Sequence, residues 1–194
     1  MQTVNQIFQT EIEIKKSNFL SFLCPFIEFQ NLSQNLKKKH PKAVHFVYAY
    51  RTLNDFNQII ENKSDDGEPK GTSGMPTLNV LRAYELINVA LITVRYFGGI
   101  KLGTGGLTRA YNEAANTVIN HSTLLTFENK KNISLAIDFK ILNRFEHFLK
   151  THFLDFTKDF KDHKAIFHIK LNEKEKQEFE IFCKNFTLFE IEKL

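Results

Sequence analysis

Residues 94–111 read Val-Arg-Tyr-Phe-Gly-Gly-Ile-Lys-Leu-Gly-Thr-Gly-Gly-Leu-Thr-Arg-Ala-Tyr. An apolar run from Val89 to Phe97 leads into this stretch and predicts a buried strand. Five glycines (Gly98, Gly99, Gly103, Gly105, Gly106) then mark a loop. Beyond it, Leu107, Ala110, Tyr111, Ala114, Ala115, Val118 and Ile119 recur at helical intervals, which predicts an amphipathic helix over 105–119. Strand, glycine loop and helix in that order read as mixed α/β structure. The order also puts a helix N-terminus, with its unpaired amides, at the mouth of the loop.

Upstream, residues 10–16 alternate as a half-buried strand, and Phe19–Ile27 form a second apolar run. Residues 29–40 carry Phe29, Leu32 and Leu36 at helical spacing and are closed by Pro41, and Ala43–Arg51 read as another strand. From there to Gly74 the chain is polar and is expected to be a long loop, a kind often used for function. Pro76 fits the first turn of a helix over 76–87.

Downstream the composition changes. All eight glycines lie between 67 and 106 and all four prolines at or before 76, so turns in the last 88 residues must use Asn, Asp, Lys and Thr. Strands are expected at 131–139, 153–158, 164–171 and 186–192, with helices at 140–150 and 173–184. That order is βαββαβ, the ferredoxin-like split βαβ arrangement. The expected class is α+β in two domains, 1–127 and 128–194.

Composition bounds the function. The chain has 194 residues, 42% hydrophobic and 25% charged, with a net charge of +4. Such a mildly basic chain permits an anionic partner without requiring one. Two distant cysteines, Cys24 and Cys183, exclude a disulfide scaffold and favour a reducing, cytoplasmic compartment. The start lacks a signal-peptide core, and no run nears the roughly 18 apolar residues of a membrane span.

Two clusters carry potential chemistry. Ser64-Asp65-Asp66-Gly67-Glu68-Pro69-Lys70-Gly71-Thr72-Ser73-Gly74 places three carboxylates before small residues that open a helix. Asp65, Asp66 and Glu68 suit a cation or acid/base work, with Thr72 and Ser73 facing a ligand and His45 as a possible base. The structural alternative is a solvated turn with a Thr/Ser helix cap. EF-hand and His-Glu-x-x-His spacings are absent, so no metal is expected.

The glycine loop makes an anion site from Gly103, Thr104, Gly105 and Gly106, with Arg95, Lys101 and Arg109 adding charge. Its alternative is a tight strand–helix connection whose glycines permit close packing. Neither nucleotide motif fits: Thr104 stands where a phosphate loop needs Lys, and Thr108 where a dinucleotide motif needs Gly. No cofactor is expected. Lys37-Lys38-Lys39 reads as a basic helix end. If the two clusters meet at one sheet edge, Arg95 or Arg109 should pair with a motif carboxylate.

The segments SDDGEPKGTSGMP and VRYFGGIKLGTGGLTRAY resemble the paired signatures of the IMPACT family, in its bacterial YigZ-like branch. Lys16-Ser17-Asn18-Phe19, His40-Pro41 and AVHFVYAYR fall in the matching order, so the resemblance covers about residues 1–125. Val47 stands where the family often has Cys, and Met75 where it often has a basic residue. The resemblance implies an N-terminal ribosomal-protein-like α/β sandwich and a C-terminal ferredoxin-like domain. It also implies translational control, through protein partners in eukaryotic members and through RNA or the ribosome in bacterial ones. The expected function is RNA or ribosome binding at an anion-binding, glycine-rich cleft, with no membrane role. The alternative is a metal- or carboxylate-dependent hydrolase, such as an X-Pro dipeptidase, so catalysis stays open.

Overall fold

A computed structural model describes residues 1–187 and 191–193. The chain divides into two compact units, Met1–Phe127 and Glu128–Leu194.

In the first unit the elements run β1 (Gln2–Thr3), β2 (Phe8–Ile14), β3 (Ser17–Pro25), α1 (Phe29–Lys39), β4 (His45–Leu53), β5 (Ile59–Ser64), α2 (Gly74–Ala83), β6 (Val89–Tyr96), α3 (Thr104–His121) and β7 (Leu125–Thr126). Five strands form one sheet in the order β2-β3-β6-β4-β5. Strand β4 is antiparallel to both β5 and β6, so those two point the same way and end at the same sheet edge. On one face Phe19, Leu23, Val47, Ala49 and Leu91 pack under α2 and α3. On the other, Phe22, Ile92 and Val94 pack under Leu36 of α1. Covered on both faces, β6 is buried from Val89 through Arg95, whereas edge strand β2 alternates.

Helix α3 has the expected stripe, with all seven residues from Leu107 to Ile119 buried. Helix α2 stops at Ala83, before the expected residue 87, because the chain turns through left-handed Glu85 and Asn88 (φ +50° and +55°). Strand β5 is a correction, since its segment was expected to be loop. It is an edge strand whose Ile59 and Ile60 stay exposed, so burial imposed no period on its sequence. The turn before it is held by Asn54 Oδ1, which accepts the Phe56 and Gln58 amides.

The second unit runs β8 (Lys131–Asp138), α4 (Leu142–Thr151), β9 (Asp155–Lys161), β10 (Lys164–Leu171), α5 (Glu173–Cys183) and β11 (Ile191–Lys193). Its sheet order is β11-β8-β10-β9, antiparallel throughout, which interleaves two βαβ halves. Phe145, Phe167 and Phe179 fill its core. Asn172 caps α5 in a reciprocal box with Glu175. Without glycine, its β9–β10 turn uses left-handed Asp162 and His163. The strand expected at 186–192 is described from Ile191, while residues 188–190 lie outside the described residues. Both cysteines are free; burial pushes the Cys24 thiol up to about 12 and that of Cys183 to about 11. Among the described residues no helix is long and apolar enough to cross a membrane.

Candidate functional site

The shared sheet edge brings the two motif loops together. Strand register sets Arg95 of β6 between Phe19 of β3 and His45 of β4. The three therefore lie on the face beneath α3. The loop after β5 folds Glu68 over that face, and its side chain is nearly sealed at 3% exposure. Its Oε1 accepts from Arg95 Nη1 at 2.6 Å and from the Tyr111 hydroxyl of α3 at 2.8 Å. Its Oε2 stands 3.8 Å from His45 Nε2. Glu68 thus meets residues of β4, β6 and α3, and the expected pairing of Arg95 with a motif carboxylate is present. Burial, then the Glu68 charge, pushes the Tyr111 hydroxyl far up, so it remains a donor.

Arg95 is enclosed on every side. Its guanidinium lies 5.4 Å from the Phe19 ring centroid and 5.8 Å from that of Phe97. Nη2 reaches Ser17 Oγ at 3.4 Å, and Nε is buried without a partner. Ser17 Oγ also accepts the Gly98 amide. At 5% exposure Arg95 is an internal cation, where the sequence reading placed it on the anion surface. The cause is β6 itself, a central strand that directs alternate side chains under α3.

The acidic loop is held by its own backbone. Asp65 accepts the amides of Gly71, Ser73 and Gly74 and the Ser73 hydroxyl at 2.7–3.1 Å. Ser73 opens α2 with no cap bond of its own, because Asp65 caps that helix from eight residues upstream. Burial would raise the Asp65 carboxyl, but these donors outweigh it and hold the group below the usual range. Asp66 Oδ2 accepts the Phe46 amide at 2.6 Å, and its carbonyl accepts His45 Nδ1 at 2.7 Å. A carbonyl only accepts, so Nδ1 donates there and Nε2 faces Glu68. Thr72 and Ser73, expected to face a ligand, are instead buried, and the Thr72 hydroxyl donates to the Pro69 carbonyl.

Asp65 is half-buried and Asp66 exposed, each accepting main-chain amides, while Glu68 is buried against Arg95 and Tyr111. Among the described residues, no group of three or more His, Cys, Asp and Glu side chains is placed to hold a metal ion.

The second loop leaves its polar groups open. Gly98 is required where it stands, since a Cβ would lie 1.9 Å from the Lys16 carbonyl oxygen. Gly103, at φ +71°, precedes α3 and offers no side-chain cap. The Gly103 carbonyl takes the Leu107 amide, and the amides of Thr104, Gly105 and Gly106 belong to the first turn, without partners inside the helix. Lys101, Gly103, Thr104, Gly105 and Arg109 are exposed, with Gly106 half-buried. From the sequence Tyr111 reads as core only, and Ser17 and Phe97 carry no functional role. A hydroxyl in the otherwise apolar α3 stripe was the available signal for the first.

Residues 15–119 match the sequence model of the Impact N-terminal domain. The IMPACT family member YvyE of Bacillus subtilis is 36% identical over 151 residues, which cover 76% of this chain and 69% of that protein. The IMPACT family member YigZ of Escherichia coli is 36% identical over 116 residues, covering 57% of this chain and 56% of YigZ. A solved structure described as a hypothetical protein superposes with TM-score 0.68 at 26% identity, over 100% of this chain and 95% of the other.

Proposed function

This chain belongs to the IMPACT family, and from that premise we propose that it is a non-enzymatic, translation-associated regulator that grips RNA phosphate at the start of α3. The observation that carries this reading is the uncapped first turn of α3, exposed between Lys101 and Arg109. Free amides and the positive end of the helix dipole favour an anion there, and the two cations add attraction from either side. Beneath it, the Glu68–Arg95–Tyr111 bonds tie β6 and α3 to the acidic loop, so the anion surface rests on a rigid base. Arg95 acts as a positioning residue in this account. Translational control is what the family resemblance implies, and RNA is the anion that joins the two.

Titration of structured RNA and tRNA at several salt concentrations tests the reading. Affinity should fall steeply as salt rises, because binding releases counterions from the phosphates. An affinity no better than that of an unrelated protein of equal net charge overturns it.

A further inference from the structure

Phe97 is a large apolar side chain left 48% exposed at the mouth of the glycine loop. One side of its ring is taken by the Arg95 guanidinium, 5.8 Å from the centroid. Its backbone is pinned, because the next residue, Gly98, presses against the Lys16 carbonyl and donates to Ser17 Oγ. The ring is therefore a fixed platform and not a loose surface residue. The neighbouring β2–β3 turn presents Lys15 and Lys16, both exposed and both in the left-handed region (φ +48° and +64°). Ile100, 43% exposed, extends the apolar surface beside Lys101.

Charge identifies the occupant. Residues 14–18 and 96–109 together carry Lys15, Lys16, Lys101 and Arg109 and not one Asp or Glu. Exposed Glu13 and Asp66 lie farther along the same edge, so the cations are the charges nearest the ring in sequence. A fixed aromatic ring flanked by basic side chains is a combination that holds single-stranded nucleic acid, with a base on the ring and phosphates on the cations. Resting on the RNA-phosphate reading above, we infer that the ligand is unpaired RNA, with one base stacked on the outer face of Phe97. A duplex keeps its base faces inside its own stack, so it offers Phe97 nothing and uses only the phosphate contacts.

Three probes decide this by fluorescence anisotropy: a short oligouridylate, the same strand annealed to its complement, and an abasic ribose-phosphate strand of equal length. The wild-type chain should bind the oligouridylate more tightly than either of the others. Phe97→Leu should weaken oligouridylate binding by about 5- to 150-fold, the worth of one stacked base. It should leave the duplex and abasic affinities unchanged, and Phe97→Tyr, which keeps the ring, should restore oligouridylate binding. Equal binding of all three probes by the wild type, or no loss in Phe97→Leu, overturns the stacking inference while the phosphate reading stands. Binding of none of the three overturns both. If Phe97→Leu fails to fold, the abasic comparison on the wild type still decides.

Discussion

Glu68 Oε1 lies 2.6 Å from Arg95 Nη1, a buried ion pair that joins the loop after β5 to the end of β6. The pair holds two otherwise unconnected motifs in one place. Removing one partner strands the other charge in the interior, so Glu68→Leu or Arg95→Met alone should cost about 3–5 kcal/mol. The double variant should lose well under the sum, because no lone charge remains. Urea unfolding of all four proteins measures that coupling.

Asp65 should make stability sensitive to acid. Its carboxyl is held below its usual value, with burial opposing and the Gly71, Ser73 and Gly74 donors prevailing. A depressed folded value means that the contribution is complete above the unfolded value of about 3.9 and is lost as pH falls through the folded one. Glu61, lowered first by its hydrogen bond from Arg82, acts in the same direction. Asp65→Asn should flatten the stability profile below about pH 4, and it should lower stability at neutral pH by about 1–2 kcal/mol through the weakened cap. Urea midpoints across pH check both.

Two glycines should respond in opposite ways. A Cβ on Gly98 meets the Lys16 carbonyl at 1.9 Å, so Gly98→Ala should lower the melting temperature sharply. A Cβ on Gly105 meets nothing within 4 Å. Gly105→Ala should leave the fold intact or raise its stability by up to about 1 kcal/mol, through helix propensity and reduced freedom of the unfolded chain. It should nonetheless weaken RNA binding, because a methyl group would crowd the first-turn amides. Thermal melts beside binding titrations separate the two effects.

Much of this architecture was legible in the residues. The α3 stripe and the buried β6 run were readable because burial imposes a period or an unbroken apolar stretch. That Arg95 or Arg109 would pair with a motif carboxylate was readable as a charge pairing conditional on the two clusters meeting at one sheet edge, and the partners are Arg95 and Glu68. Strand β5 was not, because a strand at the sheet edge with exposed Ile59 and Ile60 carries no burial pattern. Nor was the role of Asp65, since capping rules look one to three residues ahead and this carboxylate reaches Ser73 and Gly74 across a folded loop. The same limit hid the inward turn of Thr72 and Ser73. Arg95 was misplaced on the surface because its charge outweighed its position in a central strand.

The central claim is that phosphate is held at the start of α3 between Lys101 and Arg109. Its most direct test is the salt dependence of duplex RNA binding by the wild type and by the Lys101→Ala/Arg109→Ala variant. Both side chains are exposed, so the variant should fold as the wild type does. Each lost phosphate contact should reduce the slope of log affinity against log salt by about 0.7–0.9, so the account predicts a slope shallower by about 1.4–1.8. An unchanged slope would contradict it and place the RNA, if bound at all, on another surface.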